Sequence, residues 1–126
     1  MADNLIEKEN RLSVCRVEEV AEMTILSVYE KTFECMDKLT KADVTDDTTF
    51  DLELLVTQLR IRLQAGIYDP KKKIDGDIEK DICRFLEVYE QFDQFIREAE
   101  IRTRIVREVT SLTKKILGKE GIPFRA

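Results

Sequence analysis

Apolar residues recur at alternating spacings of four and three over the C-terminal third of the chain: Ile78, Ile82, Phe85, Tyr89, Phe92, Ile96, Ala99, Thr103, Val106, Thr110, Thr113 and Leu117. That period predicts one helix over 77–117 with a continuous seam facing other helices. At about 1.5 Å per residue such a helix would reach roughly 60 Å, too long for a compact fold of this size to cover, so it implies partner helices inside the chain or beyond it. Val88, Phe95, Val109 and Ile116 widen the seam, interrupted by Arg102. A face that broad suits a bundle better than a two-stranded coil.

Upstream, Val14, Val17, Ala21, Ile25, Val28, Thr32, Cys35 and Leu39 share a helical face, with Leu26, Tyr29, Phe33 and Met36 beside it. They predict a first helix over 5–41 with two apolar sides. The polar, acidic run 42–49 is a connection, and Thr48-Thr49-Phe50-Asp51 has the threonine-to-acid spacing of a helix start. A middle helix is expected over 50–66. Leu52, Leu55, Val56, Leu59 and Leu63 form its buried stripe, Leu54 and Ile61 broaden it, and Gly66 is placed to end it. Asp69-Pro70 and Asp75-Gly76 mark a chain reversal, and Gly118 is expected to cap the last helix.

These elements predict an all-α fold: a three-helix antiparallel bundle with two long helices, first and third, a shorter middle one and coiled-coil-like packing. One domain over 1–117 and a short tail, 118–126, are expected, with oligomerisation completing the core. The tail carries Gly121-Ile122-Pro123-Phe124-Arg125, an apolar segment suited to a partner groove or to the end of its own bundle.

With 43% hydrophobic and 37% charged residues, four Gly, two Pro and no Trp in 126 residues, composition favours a helix-rich chain over a disordered one. Cys15, Cys35 and Cys83 are widely spaced, form no Cys-x-x-Cys pair, and are expected to act as small buried hydrophobes. No apolar run approaches the roughly 20 residues of a membrane span, and no basic flank precedes an apolar stretch at Met1. The expectation is an intracellular chain, cytoplasmic or nuclear, with no membrane partner.

The chain has no histidine, which removes imidazole bases, His metal ligands and Ser-His triads. Its four glycines are too scattered for a phosphate loop. A calcium-loop register on Gly76 would put Lys71, Lys73 and Ile82 at ligand positions. No catalytic residue, metal or cofactor is therefore expected, and the chain is read as a non-enzyme.

Charge is uneven. From Phe95 to Ala126 eight Lys/Arg face four Asp/Glu, a local +4 that leaves −9 on the preceding residues of a chain at −5 overall. Arg97, Arg102, Arg104, Arg107, Lys114 and Lys115 are the candidate polyanion contacts, yet Asp93–Arg97, Glu98–Arg102 and Glu100–Arg104 have the i,i+4 spacing of a solvated ion-paired face. The candidate partner-binding set is Phe85, Tyr89, Phe92, Phe95 and Ile96, the densest aromatic cluster, continued by Val106 and Val109. The chain is thus expected to be a helical scaffold or adaptor subunit that binds itself or another helical chain in a multi-protein assembly. The alternatives are a nucleic-acid-binding module using the basic end, or an enzyme regulator acting through a helix or the tail. Cys15, Arg16, Val17, Ile25, Leu26, Phe33 and Met36 resemble positions in a small helical subunit of the transcriptional Mediator complex, without implying a role for any one of them.

Overall fold

The computed structural model describes residues 23–41, 44–119 and 121. Among them are four helices and a short ribbon: α1 (Ile25–Lys41), α2 (Asp46–Ala65), β1 (Ile67–Asp69), β2 (Lys72–Lys73), α3 (Gly76–Gln94) and α4 (Ala99–Gly118). The all-α class holds; the three-helix count does not. Residues 5–22, Cys15 and most of the tail lie outside the described residues.

The long helix expected over 77–117 is two helices. Its break falls at 95–98, where Phe95 leaves the helical region with φ −112° and ψ 31°, and Glu98 is extended at φ −102° and ψ 104°. Glu98 N–H donates to Phe95 O at 3.0 Å, closing the turn. Neither glycine nor proline marks the spot, so the four-three repeat runs through it unbroken. Across the turn the buried stripe rotates by about one residue. Ala99 is exposed and Thr103 and Thr110 half-buried, while Arg102, Ile105, Val109 and Ile116 are inside.

Local capping chemistry moved three other boundaries. α1 starts at Ile25, because Thr24 Oγ1 accepts the Ser27 N–H at 3.1 Å, so the expected single helix over 5–41 is interrupted there. α2 starts at Asp46, four residues early: Thr45, not Thr48, is the cap, and the two threonines satisfy one another's backbone N–H reciprocally. Gly66 ends α2 with φ 70°, a left-handed conformation that costs glycine little. Gly118 is instead the last helical residue, and positive φ appears at Gly121.

The helices run up-down-up-down, as contacts between opposite ends show. Arg62 late in α2 donates to Met23 O before α1, and Arg102 early in α4 donates to Leu39 O late in α1 at 2.9 Å. Tyr29 early in α1 meets Thr113 late in α4, and Asp81 early in α3 meets Lys115 and Lys119 at the end of α4. α1 packs most extensively, against α2 and α4; α3 packs on α4 and touches α2 lightly. The reversal before α3 is a two-stranded antiparallel ribbon pairing Ile67 with Lys73 and Asp69 with Lys72, with the Lys72 ammonium 4.8 Å above the Tyr68 ring.

The centre of the bundle is aromatic and holds one buried hydroxyl pair. Tyr29 and Phe85 pack edge to face at 4.7 Å, and Tyr29 Oη shares a 2.8 Å hydrogen bond with Thr113 Oγ1. Burial pushes the Tyr29 phenol well above its ordinary pKa. Tyr29→Phe leaves the packing intact and strands the Thr113 hydroxyl, so an unfolding free energy lower by about 1–2 kcal/mol is expected in urea titration, with an unchanged m-value.

Candidate interaction surface

Of the aromatic cluster singled out in the sequence, Phe85, Tyr89 and Phe92 are buried, as are Val106 and Val109. They belong to the chain's own core. Ile96 is half-buried and Phe95, at the α3–α4 turn, is 37% exposed. Folding the long helix back on itself provides the cover that a partner was expected to supply.

The outward apolar surface is on α2. At about 100° per residue, Phe50, Leu54, Thr57 and Ile61 fall within roughly 60° of one another and span about 16 Å of helix. Phe50 is 47% exposed and Ile61 50% exposed, Leu54 is half-buried and Thr57 exposed. The opposite side of α2 buries Leu52, Leu55, Val56 and Leu59. Ile61, expected to broaden the buried stripe, thus belongs to a second and separate one. Glu53 and Arg60 are exposed and flank this stripe on one side. Both lie close enough to Tyr89 of α3 to act on its phenol, which burial raises and to which the Asp93 and Glu53 carboxylates add, against Arg60.

The basic candidates separate. Arg102 is buried, and its guanidinium donates to Leu39 O and Ile96 O. It therefore caps the C-terminal carbonyls of α1 and anchors the α3–α4 turn rather than facing an anion. Lys115 and Lys119 hold the Asp81 carboxylate at 3.3 and 3.1 Å. Arg104 reaches Glu108 at 3.8 Å in place of the expected Glu100 pairing. Arg97, Arg104, Arg107 and Lys114 remain exposed, and Ala99, Glu100, Thr103, Arg104 and Arg107 line a shallow open depression on the outer side of α4. Cys35 is buried, whereas Cys83 is exposed on α3, contrary to the expectation that it packs inside.

Two buried acids, Asp81 and the Asp51 that the spacing puts at a helix start, have opposite electrostatics. For Asp81, burial alone would raise the pKa, but hydrogen bonds from Lys119 and Lys115 outweigh it and hold the carboxyl below its ordinary range. Its contribution to stability is present above the unfolded pKa and is lost as pH falls through the folded one. Asp51, 8% exposed, has Oδ1 buried with no hydrogen-bond partner among the described residues. Burial raises its pKa, the Asp47 carboxylate adds to this, and Lys38 opposes it. Its linkage has the reverse sign: stability present below the unfolded pKa is lost as pH rises through the folded one. Asp51→Asn should therefore be more stable than the wild type at about pH 7 and lose that advantage near pH 3, read from urea midpoints at the two values.

Among the described residues, no helix is long and apolar enough to cross a membrane, and no group of three or more Cys, Asp or Glu is placed to hold a metal ion. No family model, curated protein or solved structure matches this chain, which leaves the Mediator resemblance without support.

Proposed function

We propose that the chain is a non-enzymatic helical scaffold or adaptor subunit that holds a multi-protein assembly together by burying helix surface. The observation that carries this reading is the outward stripe of Phe50, Leu54 and Ile61 on α2, an apolar face opposite the one that builds the core. Two half-exposed large hydrophobes aligned on one helix cost solubility, and such alignment off the core is characteristic of contact surfaces. Oligomerisation through coiled-coil-like helix pairing and an intracellular location, cytoplasmic or nuclear, form part of the same reading. The nucleic-acid alternative is weakened by the diversion of Arg102 and Lys115 into contacts within the fold.

The test is a tagged native purification with stoichiometry, run on the wild type and on Ile61→Asp. Ile61 is half-exposed, so the variant should keep its far-ultraviolet circular dichroism and melting temperature. The expected result is a fixed-ratio set of proteins, untagged copies of the chain itself among those counted, lost or depleted in the variant. Recovery of the same set at the same ratio by Ile61→Asp would sink the assignment of the surface.

A further inference from the structure

We infer that α2 pairs with α2 of a second copy of this chain, antiparallel about a two-fold axis, through Phe50, Leu54, Thr57 and Ile61. This inference rests on the reading of that stripe as a contact surface and names its occupant. A two-fold interface must be self-complementary, so that whatever residue i meets, its symmetry mate meets in return. The stripe satisfies that condition. Its spacings of four, three and four are the same read in either direction, so an antiparallel pair sets Phe50 against Ile61 of the second copy, and Leu54 against Thr57, twice each. The bulkiest residue faces a branched aliphatic and the larger central residue faces the smaller one, which lets the layers interdigitate.

Position along the helix agrees with that register. The two-fold falls between Leu55 and Val56, which is the midpoint of α2 as it runs from Asp46 to Ala65. Two copies therefore overlap over the full length of the helix, and a shift by one heptad would cost overlap and expose an apolar layer.

Charge gives a second, independent agreement. Glu53 and Arg60 are seven residues apart, exposed, and on the same flank of the stripe. In the antiparallel register each Glu53 lies beside Arg60 of the second copy, forming two symmetric pairs of opposite sign; in a parallel pairing the flanks that carry Glu53 and Arg60 fall on opposite sides of the seam, and no such pair forms. The complementarity thus selects orientation as well as partner. Four layers make a small contact, at the low end of specific interfaces. A reversible, concentration-dependent dimer is expected, not an obligate one.

The experiment is sedimentation equilibrium of the purified full chain from about 1 to about 500 µM, a range that spans weak specific association, on the wild type, Ile61→Asp, Glu53→Arg and Arg60→Glu. The expected result is a wild-type monomer–dimer equilibrium, a monomeric Ile61→Asp with unchanged circular dichroism, and association weakened about tenfold or more at low salt in each charge reversal. Mixing Glu53→Arg with Arg60→Glu should restore association as a 1:1 heterodimer, because every cross-pair again joins opposite charges. A wild type that stays monomeric throughout overturns the inference. If Ile61→Asp then still loses proteins from the native purification, the scaffold reading survives and the stripe belongs to another chain. A dimer indifferent to Ile61→Asp and to the charge reversals also overturns it, since the copies would then meet through a different face.

Discussion

Replacing Phe92 by alanine lowers the unfolding free energy by about 3–5 kcal/mol, the usual cost of emptying a fully buried aromatic site. Phe92 is 0% exposed and stacks on Tyr89 with ring centroids 6.3 Å apart. It sits in the last turn of α3, three residues before the chain turns into α4. Its ring therefore helps hold the hairpin of α3 and α4 closed, and the void left by its removal is bounded by helices that can collapse only partly. The melting temperature should fall by on the order of 10 °C. Urea unfolding with an unchanged m-value is the check, and a loss under about 1 kcal/mol would mean that Phe92 does not pack in the core. Were α3 and α4 one continuous helix with Phe92 in an intermolecular seam, the loss would instead depend on protein concentration.

Arg102→Leu is expected to cost about 2–4 kcal/mol although the substitution adds apolar surface to an interior site. The guanidinium donates to Leu39 O and to Ile96 O from a residue only 6% exposed. Leucine removes both donors and leaves two carbonyls short of partners, each worth about 1–3 kcal/mol when buried. One is in the last turn of α1, where helical carbonyls have no intrahelical donor; the other is in the turn that reverses the chain. Amide exchange should accelerate at 95–98 more than in the middle of α3 or α4, a local signature that a simple packing defect would not produce. Arg102→Lys should recover only part of the loss, since one ammonium on a flexible stem replaces a planar fork that reaches two acceptors.

Periodicity alone is enough to read the helical class and the buried faces of α2 and α3. Leu52, Leu55, Val56 and Leu59 in α2 and Ile78, Ile82, Phe85, Tyr89 and Phe92 in α3 are all inside, as their spacing predicts. Gly66 ends α2 because no other residue type takes positive φ so readily. Less was readable at the caps. Thr45 and Thr48 are both plausible helix starts, and what chose Thr45 was reciprocal bonding between them. The outward apolar stripe of α2 is hard to read from the sequence for a related reason. The aromatic cluster stands out by composition, whereas Leu54 and Ile61 read as a broadening of the buried stripe although they face the other way. Their separation by direction could have been noticed, since they lie about half a turn from Leu59 on a helical wheel.

What the sequence determined by itself is everything that depends on neighbours within a few positions: helix-forming segments, their apolar stripes, the cap at Gly66, and the absence of imidazole chemistry. What only the tertiary structure decided is where the chain folds back at 95–98, that Arg62 and Arg102 are buried, and which of two apolar faces of α2 is left outward. Those choices are set by long-range packing. A four-three repeat describes one helix that pairs with a distant partner and two helices that pair with each other equally well, and burying the α3 and α4 stripes within one chain, with Arg102 donating to Ile96 O in the turn and to Leu39 O at the end of α1, is what separates the two.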